Sequence, residues 1–515
     1  MTGAERRERS APEETSLATS TKTGGGGAGL LERVRAFLDD AAGVYAGRGA
    51  SAEYLEEQRK RLDEPLRVAI AGRVKAGKST LLNALVGEPL APTDEGECTQ
   101  IVTWYHDGVT YRVTLHPRDG EPRSLKFHRV DDGLDVDLDG VAPDAVERLD
   151  VEWPSSALRT ITLIDTPGIA ALSGAPSART ADFLTPGDHR ETAADAVLYL
   201  MKHLHATDVD FLSTFHDEEV SQATPVNAIA VLSRADEIGG GRLDSLESAA
   251  RIAARYARDE KVRRLAQTVL PVAGLLAQTG ETLREAEYQA IATLAKAPAA
   301  DVDRLLVSAD RFANADAHVG LTTMERQALL ERLGLFGVRL AIALVRDSTA
   351  PNADALAKEL VARSGLPALR RVLLAQFTER RDLLKARSGI LAVETLALSE
   401  PVPGSEELLS TAEQLTAGAH ELAELRLLTL LRSGAVDAKP DELAPMERLA
   451  GGDGAAVNAR LGLPADADAA AIRSAASEQL ARWQKRAESP MASRETTAAA
   501  RLLVRTCEAI LAFTR

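Results

Sequence analysis

The chain has only two cysteines, Cys98 and Cys507, in 515 residues. That leaves no disulfide framework and no cysteine zinc site, and it fits a reducing compartment. Aromatic residues are scarce at 4%, while alanine and leucine are abundant. This favours helices over an all-β fold. No stretch reaches the ~18 consecutive apolar residues of a membrane-crossing helix. The nearest, Leu333 to Val345, is interrupted by Arg339 and reads as a core helix. No secretory leader is visible. The first 28 residues are polar, end in a glycine run and read as a disordered tail. Excess basic charge is also lacking, with a formal net charge of −15 and a pI near 5.3. That argues against a general nucleic-acid binder, because phosphate affinity needs clustered lysine and arginine. The length and the 45% hydrophobic content suit two or three globular domains.

What is present is concentrated in a few motifs. Gly72-Arg73-Val74-Lys75-Ala76-Gly77-Lys78-Ser79 is a complete phosphate-binding loop. Before it runs Leu66-Arg-Val-Ala-Ile-Ala71, a buried-strand pattern. After it, Thr80 to Val86 carries helical spacing. Strand, loop and helix are the context the motif requires. Glycines let backbone N–H groups wrap a polyphosphate, and the helix N-terminus adds partial positive charge. Lys78 would neutralise the β/γ-phosphates, and the Ser79 hydroxyl would ligate Mg²⁺.

Further along, the strand pattern Leu158–Ile164 runs into Asp165-Thr-Pro-Gly168. An aspartate at such a strand end holds Mg²⁺ through water, and Gly168 can offer its N–H to a γ-phosphate. Ala196–Met201 is a strand without internal charge. Val226–Leu232 leads into Ser233-Arg234-Ala-Asp236, in the place of a guanine-reading Asn/Thr-Lys-x-Asp. Asp236 can accept from guanine N1–H and N2–H₂, donors that adenine lacks in that geometry. Arg234 can cover the base face. The alternative for this motif is a capped turn before a glycine run. A fifth run, Thr268–Ala273, ends where a backbone N–H, that of Ala273, would meet guanine O6. These motifs make GTP the substrate and Mg²⁺ the cofactor. The γ-phosphate-sensing threonine should lie after the first helix. The candidates are Thr93, Thr99 and Thr103, and Thr99 is favoured because Ile101–Tyr105 reads as the next strand.

Small signalling GTPases use a glutamine after the third motif to orient water; here Ile169 stands there. Lys75, inside the phosphate loop, is the candidate to offset charge instead, against the plain reading of a solvated loop lysine. The motif set and its order resemble the dynamin superfamily. The likeness is closest to bacterial dynamin-like proteins, in the actinobacterial group of isoniazid-inducible IniC-type proteins. It rests on Gly72–Leu85, Thr99, Asp165–Gly168, Ser233–Asp236, Leu333–Val338 and Ser364–Leu369. The resemblance implies an α/β P-loop GTPase domain, a mostly parallel sheet flanked by helices, with an α-helical bundle or stalk. It also implies that Lys75 supplies the charge-offsetting group and that G-domain dimerisation completes the site.

The remaining pattern divides the chain further. Residues 29–64 read as an N-terminal helical segment packing with the stalk. The GTPase domain takes 65–350, with an insertion of short strands at 107–157. A helical stalk follows at 351–432, then a loose linker at 433–457 and a C-terminal helical segment at 458–515. Leu369, Val372, Leu373 and Phe377, continuing to Leu384, form one apolar helix face. Arg370, Arg371, Arg380, Arg381, Lys385 and Arg387 gather positive charge there, as a lipid contact or as a solvated face. The resulting expectation is a cytoplasmic large GTPase, in contact with the inner face of a membrane only peripherally. It would bind GTP and GDP, form a homodimer through its G domains, and couple hydrolysis to membrane remodelling or cell division. It would act as the soluble partner of a membrane-binding dynamin-like paralogue, without nucleic acid. The alternatives are a nucleotide-gated scaffold with little turnover and an Era-like ribosome-associated GTPase.

Overall fold

The apolar run before the phosphate loop forms strand β1, Leu66–Gly72, in which every residue is buried. In the computed structural model, which describes residues 25–92, 101–130, 133–167, 194–204 and 227–514, β1 is an interior strand, fourth of nine in one sheet. The other members are β2 Val102–His106, β3 Arg112–Pro117, β4 Arg123–Leu125, β7 Val146–Glu152, β8 Ile161–Asp165, β9 Ala196–Met201, β10 Ala228–Ser233 and β11 Val269–Val272. A separate hairpin joins β5 Phe127–Val130 to β6 Gly133–Val136.

The order is β11-β10-β9-β1-β8-β2-β7-β3-β4. β1 pairs in parallel with β8 on one side and β9 on the other, and β9-β10-β11 continue in parallel. Strand order thus reverses around β1. In open α/β sheets, that switch point is where the carboxyl ends of the strands leave a crevice for ligand. The insertion widens the sheet through β3, β4 and β7; its antiparallel pairs are β2/β8, β3/β7 and β3/β4.

The chain turns helical beyond β11, and several boundaries differ from the sequence pattern. The N-terminal segment is two helices, Gly25–Val44 and Gly49–Arg61, and the first begins inside the expected tail. The long apolar stripe is broken: Leu366–Gln376 and Arg381–Ser399 are separate helices, joined by a 3-10 turn at Thr378–Arg380. Phe377 is fully buried at the break, so tertiary packing overrides the continuous periodicity. The stretch 433–457 is not a loose linker. It contains the helix Pro440–Leu449, and Met446, Leu449 and Ala450 are each 1% exposed.

The helical half has its own apolar core. Leu30, Val34, Phe37 and Leu38 meet Ile390, Val393 and Leu396 from Arg381–Ser399, and the same cluster extends to Trp483, Leu503 and Ile510. Those last three come from the C-terminal helices Ala469–Ala487 and Arg494–Phe513. The basic patch read from the sequence is largely spent inside the fold. Arg370 pairs with Glu281 at 2.6 Å, and Arg381 donates to the carbonyls of Asp63 and Glu64. Arg380 donates to the Gly451 carbonyl, and Lys385 is buried against Asp195. Among the described residues no helix is long and apolar enough to cross a membrane.

Candidate nucleotide site

The phosphate loop begins where β1 ends. Gly72 has φ 149°, and a Cβ there would stand 2.5 Å from the Leu200 carbonyl oxygen of β9. Only glycine lets the two strands close at this point. The loop then tightens: the Ala76 N–H donates to the Arg73 carbonyl at 3.1 Å, and Lys75 takes a left-handed φ of 62°. Gly77, also left-handed, caps the helix Lys78–Val86, and its carbonyl accepts the Leu81 N–H at 3.0 Å. Lys78, Ser79 and Thr80 therefore occupy the first helical turn, where N–H groups have no intrahelical acceptor.

Asp165 ends β8 beside this turn, in register with Ile70 of β1. Its Oδ2 accepts from Ser79 Oγ at 3.0 Å. Its Oδ1 is buried without a hydrogen-bond partner. A buried orphan carboxylate oxygen beside a hydroxyl is a fitting donor set for a hard divalent cation. Burial raises the Asp165 pKa, against the pull of Lys78 and the Ser79 bond. Burial likewise lowers that of Lys78, with Asp165 opposing. Each group lacks enough nearby counter-charge to offset its desolvation, as a site built around an added anion and cation would. The next residue holds the loop: Thr166 Oγ1 donates to the Ile70 carbonyl at 2.9 Å.

Of the threonine candidates, Thr93 and Thr99 lie outside the described residues, as do Gly168 and Ile169. Thr103 lies within β2, paired with Asp165 across the sheet. It is buried, and its hydroxyl donates to the Ile101 carbonyl at 3.4 Å.

On the base side, β10 delivers Ser233 into Arg234, which adopts φ 52°, and then into a 3-10 turn at Ala235–Glu237. The Ser233 hydroxyl donates to the Met201 carbonyl at 3.3 Å, so it ties β10 to β9. Arg234 pairs with Glu237 at 2.6 Å. Asp236 is 8% exposed, and burial raises its pKa. Ala273 differs from expectation. It is fully buried, and its N–H is given to the Ser364 carbonyl at 2.8 Å. The Ala273 N–H is therefore spent within the fold and is not available for the role expected of it. The helix Gly274–Glu281 starts one residue later and packs on the phosphate-loop helix, where a Cβ on Gly274 would sit 3.5 Å from Thr80 Cγ2.

One cation escaped the sequence reading. Lys202 follows β9, between the phosphate loop and the base motif. Its pKa is lowered by burial and by Arg234, with Lys75 adding to this and Glu237 opposing. The available signal was its place as the first charged residue after a strand without charge.

Residues 68–226 match the dynamin family. The isoniazid-induced protein IniC of Mycobacterium tuberculosis is 41% identical over 492 residues, spanning 93% of this chain and 98% of that protein. A bacterial dynamin-like protein of Nostoc punctiforme is 35% identical over 114 residues, 20% of this chain and 16% of its own length. The isoniazid-induced protein IniA of M. tuberculosis is 36% identical over 134 residues, 24% of this chain and 20% of that one.

Proposed function

The chain belongs to the bacterial dynamin-like GTPases of the dynamin family, and from that premise we propose that it binds GTP with Mg²⁺ and hydrolyses it in a self-assembled state. The observation that carries this reading is the contact of Ser79 with Asp165, which leaves Asp165 Oδ1 buried and without a partner at the mouth of the phosphate loop. Ser79, Asp165 acting through water, and Thr99 would hold Mg²⁺. When bound, the ion supplies charge neutralisation at the β- and γ-phosphate oxygens.

The chain's own residues do the rest by position and charge. The loop from Gly72 through Thr80 wraps the phosphates with backbone N–H groups, and Lys78 faces the β/γ oxygens. Lys75, held in its left-handed turn, offsets charge on the leaving oxygen. The Thr99 carbonyl orients the attacking water, and Gly168 senses the γ-phosphate. Arg234 and Asp236 select guanine. With Ile169 in the place of a water-orienting glutamine, turnover depends on a second copy ordering the loops across a G-domain dimer. The helical half, joined to the sheet through buried contacts, converts that change into movement. The process served is membrane remodelling or division, with a dynamin-like paralogue carrying the lipid affinity.

The test is GTP turnover per molecule over a wide range of protein concentration, with and without liposomes. Turnover that rises with concentration supports assembly-completed catalysis. A flat, near-zero rate beside measurable GTP binding replaces it with a nucleotide-gated scaffold. Tight autonomous liposome binding would overturn the assignment of lipid affinity to a partner.

A further inference from the structure

The helix Thr323–Arg346 is interrupted. At Gly334 the backbone turns to φ 63°, ψ 171°, a conformation essentially confined to glycine. Only glycine holds it without strain, and the turn lies against Asp236. A Cβ on Gly334 would stand 3.9 Å from Asp236 Oδ2 and 3.5 Å from Leu275 Cδ2. Asp236 is 8% exposed and forms no ion pair among the described residues.

Both halves of the helix are anchored on either side of the break. The Arg332 carbonyl, one turn before the residues that follow the break, accepts the hydroxyl of Thr279, a fully buried residue of Gly274–Glu281. The Arg332 guanidinium is fixed by Glu287 at 2.7 Å and by Thr282 Oγ1 at 2.8 Å. Beyond the break, Arg339 holds the glycine loop that follows Asp236, donating to the carbonyls of Gly240 and Gly241, and it reaches the Leu306 carbonyl as well.

We propose that this broken helix completes the base pocket, with the N–H groups of Leu335, Phe336 and Gly337 taking the O6 carbonyl of guanine beside the Asp236 carboxylate. The proposal rests on the reading of Asp236 as the base-reading residue. It supplies the donor that Ala273 cannot, because the Ala273 N–H is bound to Ser364. The chemistry discriminates in both directions. Guanine presents an acceptor at O6 beside donors at N1 and N2. Adenine presents a donor at N6 toward the same N–H groups and no donor at N1, and a site left with unpaired polar groups rejects it strongly.

The test uses full-length protein and three diphosphates: GDP, 6-thio-GDP, whose sulfur is a poor acceptor, and IDP, which lacks the 2-amino group. Wild type should bind GDP about tenfold tighter than either analogue, the loss expected for one hydrogen bond. Gly334→Ala should bring the GDP to 6-thio-GDP ratio close to one and leave the GDP to IDP ratio unchanged. Thr279→Val, which frees the Arg332 carbonyl without straining the backbone, should move the first ratio in the same direction; thermal melting checks that both variants are folded. Folded variants that keep both ratios overturn the proposal. So does an equal collapse of both ratios, which reports a distorted pocket. Wild-type protein that binds GDP and ADP alike refutes the reading of Asp236 itself.

Discussion

Lys385 Nζ lies 3.0 Å from Asp195 Oδ2, with the two side chains 1% and 0% exposed. The same carboxylate accepts from Arg61 Nη2 at 3.1 Å and from the Arg67 N–H at 2.8 Å. One buried carboxylate thus joins the entry to β9, the second residue of β1, the helix Gly49–Arg61 and the helix Arg381–Ser399. Lys385→Met strips a partner from a buried charge, which costs about 3–5 kcal/mol. Urea unfolding should show that loss. The double variant with Asp195→Asn should lose less than the sum of the single losses. Strict additivity would mean the pair does not act as a unit.

Acid should undo the same contacts. Burial alone would raise the Asp195 pKa, but Lys385, Arg61 and the Arg67 N–H hold it down to about 2. Glu424 is also held to about 2 against its burial, by His420, by Arg460 and by the Thr506 hydroxyl. Arg460 binds it through both terminal nitrogens, at 2.7 and 2.9 Å. Both folded pKa values lie below those of the unfolded chain. Their stabilisation is therefore complete above about pH 4.5 and is lost as pH falls toward about 2, on the order of a few kcal/mol in total. Melting temperature measured from pH 6 to 2.5 should fall through that window. Glu424→Gln should start lower and fall less steeply.

The phosphate side of the site was legible in the sequence because it is local. Gly72 to Ser79 are contiguous, and strand, loop and helix each carry their own period. Asp165 was legible because it ends an apolar run. Lys202, Gly334 and the Asp195–Lys385 contact were not. Each depends on which strand or helix lies beside it, and one chain's pattern holds no register between distant segments. The stripe from Leu369 to Leu384 misled because a 3-10 turn between the buried Phe377 and Arg380 interrupts the helix while the apolar spacing continues. The charges of Arg380 and Lys385 misled for a related reason. Periodicity does not distinguish a solvated arginine or lysine from one paired in the interior.

Changes at the proposed nucleotide site should separate binding from turnover. Lys78→Ala should abolish nucleotide binding in calorimetry. Asp165→Asn should leave weak GDP binding that Mg²⁺ no longer strengthens, because it removes the charge that meets the ion while keeping the Ser79 bond. Thr99→Ala should bind GTP as wild type does and hydrolyse it at least a hundredfold more slowly, on the order expected for loss of one positioned group. Normal turnover in that variant would transfer the sensing role to Thr103, despite its place inside β2.

Lys202 offers a test with opposite signs in the two states of the protein. It lies within electrostatic reach of Arg234 and Lys75, with Glu237 opposing them. Without an anion the three cations repel; with a polyphosphate among them they are neutralised. Lys202→Met should therefore leave the nucleotide-free protein as stable as wild type or slightly more so, while weakening GTP binding by about 1 kcal/mol, or several-fold. The salt dependence of GTP affinity should also become shallower, since one fewer charge contributes. Melting curves with and without GTP, at low and high salt, read both effects in one experiment. Equal destabilisation of the free and bound protein would instead make Lys202 a packing residue of the β9 end.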